Sequence, residues 1–313
     1  MPADLPSPDR PLRIGTRGSP LAIAQAVETR DRLMAAHGLA EDAFEIVQIR
    51  TTGDKVQDRA LSEIGGKGLF TLEIEQALID GSIDIAVHSM KDMPTVLPEG
   101  LIVTALLPRE DVRDAFLSPR HASIADLPQG AVVGSSSLRR RAQLLNRRPD
   151  LQVVEFRGTV QTRMRKLGEG VAEATFLACA GLRRLGLSEH IRTVIEVEEM
   201  LPAVAQGAIG IEARAADDAT RRLLSAIHDD ATGHRLAAER AFLAGLDGSC
   251  RTPIGGLAVL EGDEVWLRGE IVRPDGSERH RTERRGPAGD AAALGADASA
   301  ELRSLGGPDF FAT

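Results

Sequence analysis

The feature that most restricts this chain is an alternation, begun at Leu12 and restarted near Pro108, of short apolar runs with helix-prone stretches. That pattern is the mark of βαβ units, parallel strands joined by helices lying on the sheet. Leu12 to Ile14 reads as a strand, and Ser19-Pro20 then supplies an N-cap with proline at the first helical position, so a helix is expected to run to His37-Gly38. A second strand, Phe44 to Arg50, precedes TTGDKVQDRALSEIGGKG at 51–68, a stretch with little periodicity that reads as a mobile loop over a site. Helix Leu69 to Asp80 and strand Ile83 to His88 follow. The second series predicts strand Ala131 to Val133, a loop at 134–137, helix Leu138 to Asn146, strand Leu151 to Phe156, a helix from Thr159 and strand Thr175 to Ala178.

Two tandem α/β series imply two lobes with a cleft between them, where open α/β sheets bind ligands. The stretch from Val194 to Arg214 is expected to return the chain to the first lobe. Beyond Asp217 come two helices, then Cys250, strands Leu257 to Leu260 and Val265 to Val272, and a last helix near Ala291 to Leu305, which together read as a small α+β domain. The 313 residues suit two or three domains at about 150 residues each.

Composition narrows the chemistry. No uncharged run approaches the roughly 20 apolar residues of a membrane helix, and MPADLPSPDR is polar where a signal peptide would be apolar, so a cytoplasmic protein with reduced thiols is expected. The 7 histidines are scattered and no CxxC, HxxxH or HxH spacing occurs, so no metal site is expected. Only 4 of the 38 basic residues are lysine, which leaves 34 arginines, the planar bidentate donors suited to carboxylate or phosphate. Yet the net charge is -8, with no tyrosine and one tryptophan, which speaks against a nucleic-acid binder. Arginines that bind anions here do so locally.

Three strand-to-helix junctions place arginine beside a helix N-terminus: IGTRGSP (14–20), VGSSSLRRR (133–141) and FRGTVQTR (156–163). That end of a helix is already partly positive, so the arrangement is unfavourable unless an anion is bound. A solvated helix end or an ion pair with a nearby carboxylate would account for any one junction, whereas all three point to an anion-binding cleft. In IDIAVHSMKDMP (83–94) a strand ends in His88, Ser89, Lys91 and Asp92. A single carboxylate among cations could steady a cationic intermediate and move protons to a leaving amine, although pairing with Lys91 or capping of the next turn is the plainer reading of Asp92. Cys250, in LDGSCRTPIGG beside Arg251, could be a nucleophile, whereas Cys179 in TFLACAGL reads as inert core. GGKG at 65–68 lacks the phosphate-loop spacing and reads as a hinge with a reachable Lys67.

Assembled in order, RIGTRGSPLA (13–22), GGKGLF (65–70), DIAVHSMKDMP (84–94), REDVRDAF (109–116), GSSSLRRRAQL (134–144), FRGTVQTR (156–163), AGLRRLGL (180–187), LPAVAQGAIGIEAR (201–214) and GSCRTPIGG (248–256) resemble the porphobilinogen deaminase family. The resemblance implies an enzyme that joins four porphobilinogen molecules head to tail with loss of ammonia, on a dipyrromethane cofactor bound through a thioether at the Cys250 position, and frees hydroxymethylbilane by hydrolysis. It implies that Asp92 is the catalytic carboxylate, assisting loss of the aminomethyl nitrogen and stabilising the azafulvenium cation. It implies cofactor contacts from Lys67, Lys91, Asp92, Ser136, Ser137, Arg139, Arg140, Arg184 and Gln206, and substrate contacts from Arg17, Ser19, Arg157 and Arg163. The implied fold is α/β in three domains: 1–107 with 208–225 and 108–207 as two lobes like those of periplasmic binding proteins, and 226–313 as the α+β domain bearing the cysteine loop. A monomer is implied, without nucleic-acid or membrane partners, that could hand its product to the next pathway enzyme. The chain departs from the family pattern at Ala205, where glycine commonly precedes the Gln-Gly pair, and at Ser135, Ser249 and Glu173-Ala174. The alternative from another class is a non-catalytic two-lobed anion-binding protein, which would need neither Asp92 nor Cys250 and would ordinarily carry an export signal.

Overall fold

A computed structural model describes residues 5–55, 71–248 and 252–311. By their internal contacts these fall into two compact units, one of residues 5–55, 71–109 and 208–233, the other of 110–207 together with the described part of 234–311.

The first unit opens with β1 (Leu12–Arg17), α1 (Pro20–His37) and β2 (Phe44–Ile49). Ser19 caps α1 by accepting the Ala22 N–H, and Gly38 ends it in the left-handed conformation that glycine adopts without a steric penalty. After α2 (Thr52–Lys55) come α3 (Leu72–Ile79), β3 (Ile85–Ser89) and β4 (Leu101–Leu106). The second unit carries β5 (Asp114–Leu117), β6 (Val132–Gly134), α4 (Leu138–Arg147), β7 (Gln152–Val154), α5 (Val160–Gly168), β8 (Ala174–Ala178), α6 (Cys179–Arg184) and β9 (Thr193–Ile195). The chain then supplies β10 (Ile209–Arg214) and α7 (Asp218–Ser225) to the first unit. It ends with α8 (Asp230–Gly245), β11 (Ile254–Glu261), β12 (Glu264–Val272), β13 (Arg279–Pro287) and α9 (Ala291–Gly306).

The two five-stranded sheets share one design. Their orders are β2-β1-β3-β10-β4 and β7-β6-β8-β5-β9. In each, three parallel strands are followed by one running the opposite way and a fifth that reverses again. The parallel expectation therefore holds for the βα repeats and fails at β10 and β5. Neither of those strands belongs to a repeat, and an antiparallel neighbour needs no crossover helix. Strand β7 is also shorter than expected, because at Phe156 the backbone leaves the ladder and its N–H bonds the Ser136 hydroxyl at 2.9 Å.

Ile14, Ile85, Ile209 and Ile211 form the centre of the first unit's core, all fully buried, with Leu33 of α1 and Leu224 of α7 packed on them. In the second unit Phe116, Val133, Leu144 and Phe176 form one cluster, and Phe156, Leu177, Cys179 and Leu182 another. The third sheet is the antiparallel meander β11-β12-β13, against which α9 packs. Among the described residues no helix is long and apolar enough to cross a membrane.

Candidate active site

In the first unit β1 and β3 run parallel, with Ile14 opposite Ile85 and Gly15 opposite Ala86, so their carboxyl ends lie side by side. The chain leaves β1 at Arg17 and turns through Ser19 into α1, while β3 runs into a tight 3-10 turn, Met90–Asp92. Arg17, Ser19, Lys91 and Asp92 thus share one edge of the sheet. The turn is held from below: Met90 is buried and its N–H donates to the Ala208 carbonyl at 3.0 Å, and the Ser89 hydroxyl exchanges hydrogen bonds of 2.8 and 3.0 Å with the Gln25 amide of α1. Lys91 and Asp92 are half-buried.

Beneath this edge His88 Nε2 lies 3.0 Å from Glu212 Oε2, with the two side chains only 6% and 0% exposed. His88 is a hydrogen-bonded structural residue. Glu75 of α3 is buried too, and its carboxyl pKa is raised by desolvation, with the charge of Glu212 adding to the rise and a Thr71 hydrogen bond and His88 opposing it.

The second unit repeats the arrangement. Gly134, the last residue of β6, pairs with Val154 on one side and Thr175 on the other, so Ser136 and Ser137 leave the sheet at the edge where Arg157 follows β7 and α6 follows β8. Ser137 caps α4 by accepting the Arg140 N–H at 3.4 Å. Thr159 caps α5 in the same way, and Arg163 returns to the Gly158 carbonyl at 3.0 Å. Arg184, at the end of α6, donates to the Gly207 carbonyl at 3.1 Å. Gly207 has φ +88°, and a Cβ there would fall 2.5 Å from the Glu110 carbonyl oxygen, so only glycine fits.

Arg139 and Arg140, in the first turn of α4, are buried with their guanidiniums on Asp114, the first residue of β5. Arg139 Nη2 donates to Oδ2 at 2.7 Å, and Arg140 donates from Nη2 at 2.6 Å and Nε at 3.1 Å to Oδ1. Gln206 Nε2 adds a bond of 2.9 Å to the same carboxylate and another of 2.8 Å to the Val112 carbonyl. Burial alone would raise the Asp114 pKa, but the two guanidinium charges and the bonds from Arg140 and Gln206 outweigh it and hold the carboxyl well below the usual range. Burial pulls the Arg139 pKa down, and its Nε is a buried donor with no acceptor among the described residues.

The junction at 133–141 therefore contains the ion pair that was one of the readings open to the sequence, but with two guanidiniums on one carboxylate. Asp114 itself was missed. It lies in REDVRDAF among other charges, and the available signal was a carboxylate directly ahead of the apolar run Ala115-Phe116-Leu117. Cys179 is buried, and desolvation pushes its thiol up to about 12, which makes it an inert core residue. Cys250 and Lys67 lie outside the described residues, as does the 51–68 stretch beyond residue 55.

The sequence matches the model of the porphobilinogen deaminase dipyromethane cofactor binding domain over residues 12–222 and that of the porphobilinogen deaminase C-terminal domain over 234–304. The porphobilinogen deaminase of Paracoccus denitrificans (strain Pd 1222) is 67% identical over 307 residues, covering 98% of either chain. That of Nitrobacter hamburgensis is 58% identical over 298 residues, covering 95% of this chain and 94% of the relative. Among solved structures, the methionine binding protein MetQ aligns at a TM-score of 0.45 with 14% identity, over 72% of this chain and 93% of its own. With matched models across both parts of the sequence and two near full-length relatives, this chain belongs to the porphobilinogen deaminase family.

Proposed function

We propose that this chain condenses four porphobilinogen molecules head to tail, with loss of ammonia, on a dipyrromethane primer tethered to Cys250, and releases hydroxymethylbilane by hydrolysis. The observation that carries the reading is the shared edge at the end of β1 and β3, where Arg17, Ser19, Lys91 and Asp92 come together. Ser136, Ser137 and Arg157 occupy the corresponding edge of the second unit's sheet.

The residues present fit a group rich in carboxylates. Asp114 faces two buried guanidiniums, the buried Glu270 adds its charge at Arg139, and Arg139 keeps a buried N–H without an acceptor among the described residues. A buried donor of that kind is costly until an acceptor reaches it. Dipyrromethane, when bound, supplies the nucleophilic pyrrole carbon. Arg139, Arg140, Arg184, Ser136, Ser137, Lys67, Lys91 and Gln206 would hold its acetate and propionate groups, and Arg17, Ser19, Arg157 and Arg163 those of the incoming substrate. Such contacts fix the reacting carbons at bonding distance, which removes the entropy of a bimolecular encounter. Asp92, ionised beside the aminomethyl group, keeps that nitrogen protonated as an ammonium so that it leaves as ammonia, steadies the cation left on the substrate carbon, and takes up the proton released after carbon–carbon bond formation.

The chain is read as three domains, 1–107 with 208–225, 108–207 and 226–313; separate family matches ending at 222 and resuming at 234 support the last boundary. It is read as a cytoplasmic monomer that could hand its product to the next pathway enzyme. Two variants test the proposal. Asp92→Asn should lower kcat by about 10²- to 10⁴-fold with an unchanged urea midpoint. Intact-mass measurement of the native protein should exceed the sequence mass by a dipyrromethane, and the increment should vanish in Cys250→Ser. Normal turnover in the first variant, or an unchanged increment in the second, would overturn these assignments.

A further inference from the structure

We propose that Glu239, in α8, is a positioning residue for the buried arginine pair: by accepting the Ala205 N–H it holds the 201–206 strap in the turn from which Gln206 reaches Asp114. The proposal rests on the reading above that Arg139 and Arg140 hold pyrrole carboxylates.

Glu239 is fully buried on α8, and its carboxylate bridges two pieces of backbone. Oε2 accepts the Ala205 N–H at 2.6 Å and Oε1 accepts the Ala258 N–H of β11 at 2.7 Å. Ala205 has φ +60°, the left-handed region that an L side chain enters only at a steric cost. A bond from an N–H to a charged oxygen is short and roughly twice as strong as a neutral one, and here it offsets that cost.

The strap meets the arginine cluster at both ends. At its start the Leu201 carbonyl accepts from Arg139 Nη1 at 2.8 Å and from Gln143 Nε2 at 3.0 Å. In its middle the Pro202 carbonyl accepts the Gly256 N–H at 2.9 Å. At its end Gln206, directly after the strained alanine, reaches Asp114 and the Val112 carbonyl. If Ala205 relaxes to a right-handed or extended conformation, the peptide after it rotates and Gln206 swings away from Asp114. The carboxylate then loses one donor, and the two guanidiniums reorient around it. None of these groups is assigned to the incoming substrate, so the loss should fall on the seating of the tethered nucleophile, and hence on kcat, and spare KM for porphobilinogen.

The test uses the full chain with its cofactor. Glu239→Gln should lower kcat about tenfold and change KM for porphobilinogen less than about twofold, the loss of roughly one buried hydrogen bond behind the seat of the nucleophile. Adding Ala205→Gly should bring kcat back to within about threefold of the native value, because glycine takes the left-handed conformation unaided. A readout independent of turnover is the Gln206 side-chain amide resonance, which should shift in Glu239→Gln and return in the double variant. Should Glu239→Gln fail to fold, Glu239→Asp, which keeps the charge but is too short to bridge both N–H groups, is read in the same way. A rise in KM with kcat unchanged, or no recovery of kcat and of the Gln206 resonance on adding Ala205→Gly, would overturn the proposal. Arg140→Gln with an unchanged kcat would instead overturn the reading of the arginine pair, and the Gln206 resonance would still report on Glu239.

Discussion

Glu75 and Asp114 are both buried carboxyls, and their neighbours push them in opposite directions. Asp114 has a depressed folded pKa, so its contribution to stability is complete above the ordinary carboxylate value of about 3.9 and is lost only as pH falls below it. Glu75 has a raised folded pKa, so the folded state binds its proton more tightly than the unfolded chain does. Its contribution is complete below about pH 4.3 and is lost as pH rises through the folded value. Glu75→Gln removes the titration while keeping the shape. Urea unfolding at a series of pH values should therefore show the variant gaining on the native protein from about pH 4 upward and levelling off beyond the folded pKa. A difference that stays flat with pH would rule out Glu75 as the titrating group. At this scale the sequence is a partial guide. Arginines at a helix N-terminus stand out because they violate a local rule, and Arg139 and Arg140 were visible for that reason. Asp114 and Glu239 were not, since REDVRDAF and AAERAF read equally well as solvated surface. Only the start of β5 between β8 and β9, and the packing around Ala238 and Phe242, make those carboxylates buried.

Elements with strong local signals were legible and those defined by pairing were not. Helix α1 begins and ends where Ser19-Pro20 and Gly38 place it, because a cap is local chemistry. Strand β13, RHRTERRGP, escaped notice because Thr282 is its one buried residue; its register against β12, with Glu264 opposite Pro287 and Val272 opposite Arg279, defines it. The charge along it is what keeps such a strand from recruiting another chain. Helix crossings are equally hidden in sequence. At Gly295 of α9 a Cβ would lie 2.1 Å from the Ala238 carbonyl oxygen of α8, backbone that cannot step aside as a flexible side chain would. Alanine in a helix interior gains up to about 1 kcal/mol over glycine, whereas overpacking a tight contact costs about 1–3 kcal/mol. Sterics should win at this position, so Gly295→Ala is expected to lower the unfolding free energy. Gly168, in the last turn of α5 with nothing within 4 Å of its would-be Cβ, supplies the control, and Gly168→Ala should be neutral or stabilising. Thermal unfolding of the two variants in parallel checks the pair, and equal shifts would deny the close α8–α9 crossing.

At the scale of the whole chain, the alternation of strands and helices identified the α/β class, but it carries no information on the direction of a strand outside the repeats. Strand β10 shows the consequence. It lies between β3 and β4 in the first sheet, yet the chain reaches it only after building residues 110–207. Ile209, Ile211 and Ala213 of β10 are fully buried in the first unit's core. Without them β3 and β4 have no ladder between them, and residues 1–109 lack the strand that joins β4 to the rest of their sheet. The two ends of the interruption are close, since Gly210 pairs with Leu106 and the Leu107 N–H donates to the Ile209 carbonyl at 3.0 Å. Joining residue 109 to residue 208 through a short Gly/Ser linker would therefore turn β4 and β10 into an ordinary hairpin, the cheapest connection between antiparallel neighbours. Residues 1–109 linked in this way to 208–233 should unfold in one cooperative urea transition, and residues 1–109 alone should show none. A cooperative transition in 1–109 alone would mean that the first sheet forms without its interior antiparallel strand, and the discontinuous unit would lose its physical basis.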